Sequence, residues 1–162
     1  RDKDAILSAL LVAEACVVCQ NRGLTLYDML QEIYQTYGYY KEDAASYTLE
    51  GKAGTERIRA CMEHLRESPL KEIGGDAVLR FEDYRSRSAK NARGQTEPLS
   101  LPQADMLRYV LASGATIAVR PSGTEPKLKL YISASAPEEA AAVAHLQRLS
   151  ADICGRVSSF LS

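Results

Sequence analysis

Eight consecutive residues, Arg120-Pro121-Ser122-Gly123-Thr124-Glu125-Pro126-Lys127, gather the groups that hold a small anion. Ser122 and Thr124 offer hydroxyl donors, and Arg120 brings a planar guanidinium fork suited to phosphate oxygens. Gly123 has no side chain to keep a ligand off the backbone N–H groups. Pro121 and Pro126 bracket the turn and fix φ on both sides, which lowers the entropy lost when the turn closes on a ligand. Convergent N–H donors around an anion are the physical basis of phosphate nests. Lys127 and Lys129 add charge at the start of the next segment. The same residues would also make an ordinary polar hairpin tip, and spacing alone leaves both readings open.

The other reactive residues are scattered. Cys16-Val17-Val18-Cys19 has the C-x-x-C spacing of redox and zinc motifs, but Cys61, Cys154, His64 and His145 lie apart in helix-patterned segments. Core packing is the reading for these thiols, since free cysteine is among the most buried residue types. No secretory segment precedes them, so they read as reduced and cytoplasmic. Asp2 and Asp4 read as helix-capping carboxylates rather than a magnesium site.

The 162 residues are 46% hydrophobic and 25% charged, which fits a folded globular chain and not a disordered, collagenous or coiled-coil one. A net charge of -1 gives no whole-chain reason to expect nucleic acid or a membrane surface. The distribution is uneven, with nine cations against five anions between Arg80 and Tyr131 and an acidic excess elsewhere. The apolar run Ala5 to Cys19 is too short to cross a bilayer and reads as a buried helix. The chain opens on Arg1 without an initiator Met, which suggests a piece cut from a longer chain.

Elements must position the loop. Asp4 predicts the cap of a first helix ending near Gly23, and Thr25 with Asp28 a capping box for a second that ends at Gly38. A polar and aromatic connector, Tyr39 to Asp43, follows. A third helix is expected from near Thr55, with Ile58, Met62 and Leu65 on one side and Ser68-Pro69 as its stop. Four strands are expected near Ser46 to Leu49, Ala77 to Tyr84, Thr116 to Arg120 and Lys127 to Ser133, with Leu79 and Phe81 sharing a face. Ser86 to Pro102 reads as a mobile loop, and Gln103 to Leu111 as a short helix. Pro137 then opens a long helix whose apolar face is Val143, Leu146, Leu149, Ile153, Val157 and Phe160.

Arg120 to Lys127, continued by Leu128-Lys129-Leu130-Tyr131, resembles the phosphate-binding loop in the last domain of the phosphoglucomutase/phosphomannomutase (α-D-phosphohexomutase) family. Arg1-Asp2-Lys3-Asp4 resembles the DKDG segment that closes the family's third, sugar-binding domain, with Ala5 where the family has Gly. Gly23-Leu24-Thr25-Leu26 through Tyr37-Gly38-Tyr39 resembles the helix after it. The resemblance implies an α+β fold: a mainly antiparallel sheet of about four strands with helices on one face, like the TATA-box-binding protein, preceded by a helical segment. Residues 1–45 would be the helical tail of the preceding third domain, and 46–162 the C-terminal phosphate-binding domain.

The implied activity is phosphate transfer between the 1- and 6-positions of a hexose phosphate through a phosphoserine and Mg²⁺. Arg120, Ser122, Gly123 and Thr124 would hold the phosphate that is not transferred, with Glu125 and Lys127 shaping the turn and Lys127 a weaker ligand. The family's phosphoserine loop, D-x-D-x-D metal loop and G-E-x-S sugar loop are not found in these residues. The chain alone is therefore expected to be inactive, with no catalytic residue and no bound metal. Its partners would be a hexose phosphate and the remaining domains of the same enzyme. Two other classes compete. A nucleic-acid module is prompted by the basic stretch, against which stand the net charge, the absence of Trp and the two Phe. A non-catalytic interaction module would show no anion preference.

Overall fold

A computed structural model describes residues 4–162, so Arg1-Asp2-Lys3, including the Asp2 carboxylate and most of the DKDG-like segment, lies outside the described residues. The chain forms two compact units that part between Tyr39 and Tyr40.

The first unit is a helical pair. In α1 (Ala5–Asn21) the Asp4 carboxylate accepts from the Leu7 N–H at 2.9 Å, and Gly23 turns the chain away with φ +68°. In α2 (Leu26–Tyr37) the predicted capping box is formed, with Thr25 and Asp28 each accepting from the other's backbone. The Thr25 hydrogen bonds hold the Asp28 carboxyl below its ordinary range. The expectation of a buried α1 is not met: Ile6, Leu10 and Leu11 are exposed, and Cys19 is the buried residue of this helix. One helical neighbour can cover only one side of a helix that is apolar all round. Cys19 sits against Met29 with its thiol 3.5 Å from the thioether sulfur, while Cys16 faces outward rather than into a core.

The second unit is an eight-stranded sheet, not the expected sheet of about four. Its strands are β1 (Tyr39–Thr48), β2 (Glu72–Ile73), β3 (Asp76–Asp83), β4 (Ser88–Asn91), β5 (Thr96–Pro98), β6 (Leu107–Leu111), β7 (Thr116–Pro121) and β8 (Lys127–Ala136). They run in the order β1-β8-β7-β6-β3-β4-β5, with β2 paired to β3, and the pairings from β8 through β5 are antiparallel. Leu107, Tyr109 and Leu111 face the core while Arg108 and Val110 are half-buried on the other side, so the segment expected to be helical has period two. A run of five residues with apolar positions at both two- and three-residue steps fits either element, and pairing between β3 and β7 decides it. The expected connector at Tyr39 is already strand, and the expected mobile loop is largely the β4–β5 hairpin.

Within β3 the register against β6 shifts between Val78 and Arg80. This bulge turns Leu79 outward, 48% exposed, so Val78 rather than Leu79 accompanies Phe81 against the core.

Two helices cover one face. α3 (Gly51–Glu67) begins ahead of the expected Thr55 and buries Ile58, Cys61, Met62 and Leu65. α4 (Glu139–Leu161) follows Pro137 and the N-cap Glu138, and buries Leu149, Ile153, Val157 and Leu161. Val143 and Phe160 lie off its buried stripe, and the Phe160 ring stacks on His64 with centroids 5.1 Å apart. These residues meet Leu107, Tyr109, Ile117, Val119, Leu130 and Ile132 in one core. Burial there pushes the Cys61 thiol up to about 11, so it stays a protonated packing residue. Among the described residues no single helix is long and apolar enough to cross a membrane.

Candidate phosphate-binding loop

The anion-holding motif occupies the turn between two paired strands. Ile117, Val119, Leu128 and Leu130 are fully buried and anchor β7 and β8 to the core. Between them Ser122 to Pro126 projects beyond the last strand pair, Pro121 with Leu128. The alternation that buries Val119 and Leu128 places Arg120 opposite Lys129 on the sheet face away from the helices.

Three internal bonds shape the turn. Ser122 N–H donates to the Lys127 carbonyl at 2.7 Å, Lys127 N–H donates to the Glu125 carbonyl at 2.7 Å, and the Lys127 ammonium donates to the Glu125 carboxylate at 3.0 Å. Lys127, and more weakly Lys129, hold the Glu125 carboxyl below its ordinary range. Thr124 N–H reaches the Ser122 hydroxyl only at 3.5 Å. Among the described residues nothing accepts from the N–H groups of Gly123 or Glu125, and the exposed Arg120 guanidinium has no carboxylate partner. A Cβ on Gly123 would meet nothing within 4 Å, so the fold itself does not require glycine there. The predicted residues are thus brought together on one turn, with two engaged on each other and the rest presenting donors.

The basic stretch is used differently from the way its charge count suggests. Arg80 bonds Glu82 and Glu97, Arg108 bonds Glu82, and Arg85 grips Glu63 with two bonds of 2.5 and 2.7 Å. Burial opposes ionisation of Glu82 and Asp83, yet donors from Arg80, Arg108 and Tyr84 to the first, and from Ser86 and Arg66 to the second, keep both carboxyls below their ordinary ranges. Arg80, Arg85 and Arg108 are therefore held by carboxylates of the same unit rather than left open to a nucleic-acid backbone. Among the described residues no three His, Cys, Asp or Glu side chains are grouped as a metal's ligands would be.

One contact escaped sequence reasoning: the Leu49 N–H, just beyond β1, donates to the Pro126 carbonyl at 3.0 Å. It joins the loop to the start of α3, and no local pattern announces a hydrogen bond between such distant residues.

Comparison with known proteins matches these features. The family model described as "Phosphoglucomutase/phosphomannomutase, C-terminal domain" matches residues 69–148, which include the whole loop. The phosphoglucomutase of Staphylococcus saprophyticus is 39% identical over 134 residues, covering 82% of this chain and 24% of that protein. That of Staphylococcus haemolyticus is 41% identical over 134 residues, with the same coverage. That of Staphylococcus aureus strain MRSA252 is 38% identical over 139 residues, covering 85% and 25%. The chain thus spans about a quarter of the length of these relatives. The open form of the parafusin phosphoglucomutase from Paramecium has a similar fold, with a TM-score of 0.60 over 99% of this chain and 28% of that one at 18% identity.

Proposed function

The chain belongs to the phosphoglucomutase/phosphomannomutase family, whose C-terminal domain it carries, and from that premise we propose that the Arg120–Lys127 loop clamps the phosphate of a hexose phosphate that is not being transferred. The observation that carries this reading is the set of donors on one turn that have no acceptor among the described residues: the N–H groups of Gly123 and Glu125 and the Arg120 guanidinium. Arg120 supplies a charged fork to two phosphate oxygens, the N–H groups and the hydroxyls of Ser122 and Thr124 take the remaining lone pairs, and Gly123 leaves room for close approach. Glu125 and Lys127 brace the turn. Holding the distant phosphate fixes the sugar's orientation, so binding energy remote from the reacting centre lowers the barrier to transfer.

In this reading the chemistry belongs to a longer enzyme that supplies the phosphoserine, the Mg²⁺ site and the sugar-recognition loop, and the present chain is inactive alone. The helical pair is the tail of the preceding sugar-binding domain, supported by the apolar α1 side chains left exposed here. The sheet unit, an antiparallel sheet with α3 and α4 on one face, is the TATA-box-binding-protein-like phosphate domain.

The test is an NMR titration of the ¹⁵N-labelled chain with inorganic phosphate. Expected are amide shifts centred on Ser122–Glu125, and a loss of affinity of about ten- to a hundredfold in Arg120→Ala, the size of a charge-assisted hydrogen bond. Shifts that spare Ser122–Glu125, or an unchanged Arg120→Ala titration, overturn the assignment. Interconversion of glucose 1-phosphate and glucose 6-phosphate by this chain would overturn its inactivity.

A further inference from the structure

We propose that Gly54, in the first turn of α3, is a positioning residue for the Arg120–Lys127 loop and acts through Leu49; this rests on the phosphate-binding reading of that loop.

The Leu49 N–H holds the Pro126 carbonyl at 3.0 Å, and the Leu49 side chain packs against the main core. Its backbone lies across the start of α3 at the point where Gly54 is buried. A Cβ on Gly54 would stand 2.6 Å from the Leu49 Cβ, 2.7 Å from its carbonyl carbon and 2.8 Å from its carbonyl oxygen. Close-packed interiors do not tolerate such separations. Two of the three atoms are backbone, so no rotation of the Leu49 side chain relieves the contact. The segment itself must move, and it is the segment that bonds Pro126.

The displacement reaches the whole turn, because Pro126 lies between Glu125, whose carbonyl accepts from Lys127 N–H, and Lys127, whose carbonyl accepts from Ser122 N–H. Glycine inside a helix costs about 1 kcal/mol relative to alanine, so a glycine here has a reason when close approach demands it. Gly155 in α4 provides the contrast: a Cβ there would meet nothing within 4 Å.

The experiment compares the full chain with Gly54→Ala and Gly155→Ala by ¹⁵N NMR, titrating each with inorganic phosphate. Gly54→Ala is expected to move the Glu125 and Lys127 amides before phosphate is added and to weaken phosphate binding by about tenfold, one net hydrogen bond to a charged group. Gly155→Ala is expected to match the parent. Hydrogen exchange on the unmutated chain removes any dependence on the folding of the variant: phosphate should slow exchange at Leu49 and leave Ala112, bonded to Ala77 in a turn beside β6, unchanged. If the parent's loop amides ignore phosphate, the reading of the loop fails and this inference with it. If the parent binds phosphate while a folded Gly54→Ala binds equally well, or Leu49 exchange does not respond, the positioning role alone fails.

Discussion

At the tip of the β4–β5 hairpin the Asn91 side-chain oxygen accepts from the N–H groups of Arg93 and Gln95 at 3.0 Å, and its amide donates to Gln95 at 2.9 Å. Asn91 N–H donates to the Gln95 carbonyl and Gly94 N–H to the Asn91 carbonyl, so this turn uses its polar groups on itself. The tip between β7 and β8 is equally polar and Gly-containing, yet among the described residues the Gly123 and Glu125 N–H groups have no acceptor and the Arg120 guanidinium no carboxylate. Both face solvent, where water satisfies open donors at little cost. Composition therefore does not separate a structural turn from a binding turn; the destination of each donor does.

The two glycines provide the largest test of that contrast. Gly94 has φ +79°, a left-handed conformation that side chains resist, whereas Gly123 has a conformation open to any residue and free space where a Cβ would go. Gly123→Val is expected to abolish the phosphate response while leaving thermal stability within about 0.5 kcal/mol, as for surface substitutions elsewhere. Gly94→Val is expected to destabilise by about 1–3 kcal/mol, the strain of a side chain at positive φ, and to leave the phosphate response intact. Thermal melts and the phosphate titration on both variants measure this, and a Gly123→Val chain that still binds phosphate removes the contrast.

A smaller effect is expected at Asn91. Asn91→Ala deletes the three side-chain hydrogen bonds that close the β4–β5 tip, but they are exposed and water replaces part of their energy. The expected cost is about 1 kcal/mol, a melting temperature lower by about 2–4 °C for a chain of this size. Phosphate affinity should not change. A loss of affinity in Asn91→Ala would mean that the two turns are coupled and the comparison is wrong.

What could be read from the sequence follows the same division between local and distant causes. The capping box of Thr25 and Asp28, the stop at Gly38 and the Arg120–Lys127 turn between alternating strands are written in neighbouring residues, and the structure has each of them. β6 was hidden because Leu107 to Leu111 fits two periods and only its neighbours β3 and β7 select one. β4 and β5 were hidden because β4 buries only Ala89 and β5 buries none of its residues, with Leu99 just beyond β5 joining Ala89 and Tyr84 in a small cluster. The outward turn of Leu79 depends on a register shift against β6, and the Leu49–Pro126 bond on a contact between elements far apart in the chain. At the loop, residue types were legible while their engagement was not: nothing in the letters says that Glu125 and Lys127 bond each other while Arg120 stays open.

That pair carries the smallest expected effect. Hydrogen bonding from the Lys127 ammonium is the main cause of the depressed Glu125 pKa, with Lys129 adding a weaker attraction. A carboxyl whose folded pKa lies below its unfolded value adds stability above the unfolded pKa, and that stability is lost as pH falls through the folded one. The contribution is slight because the carboxylate is fully exposed to water. In Lys127→Met the Glu125 midpoint, followed by side-chain carboxyl NMR, should rise toward an ordinary glutamate. Phosphate affinity should then fall by only about two- to threefold, as for an exposed charge pair, against the much larger loss in Arg120→Ala. A Lys127→Met loss as large as that of Arg120→Ala would move Lys127 from bracing the turn to holding the phosphate, and the open face of this loop would then extend one residue further into β8.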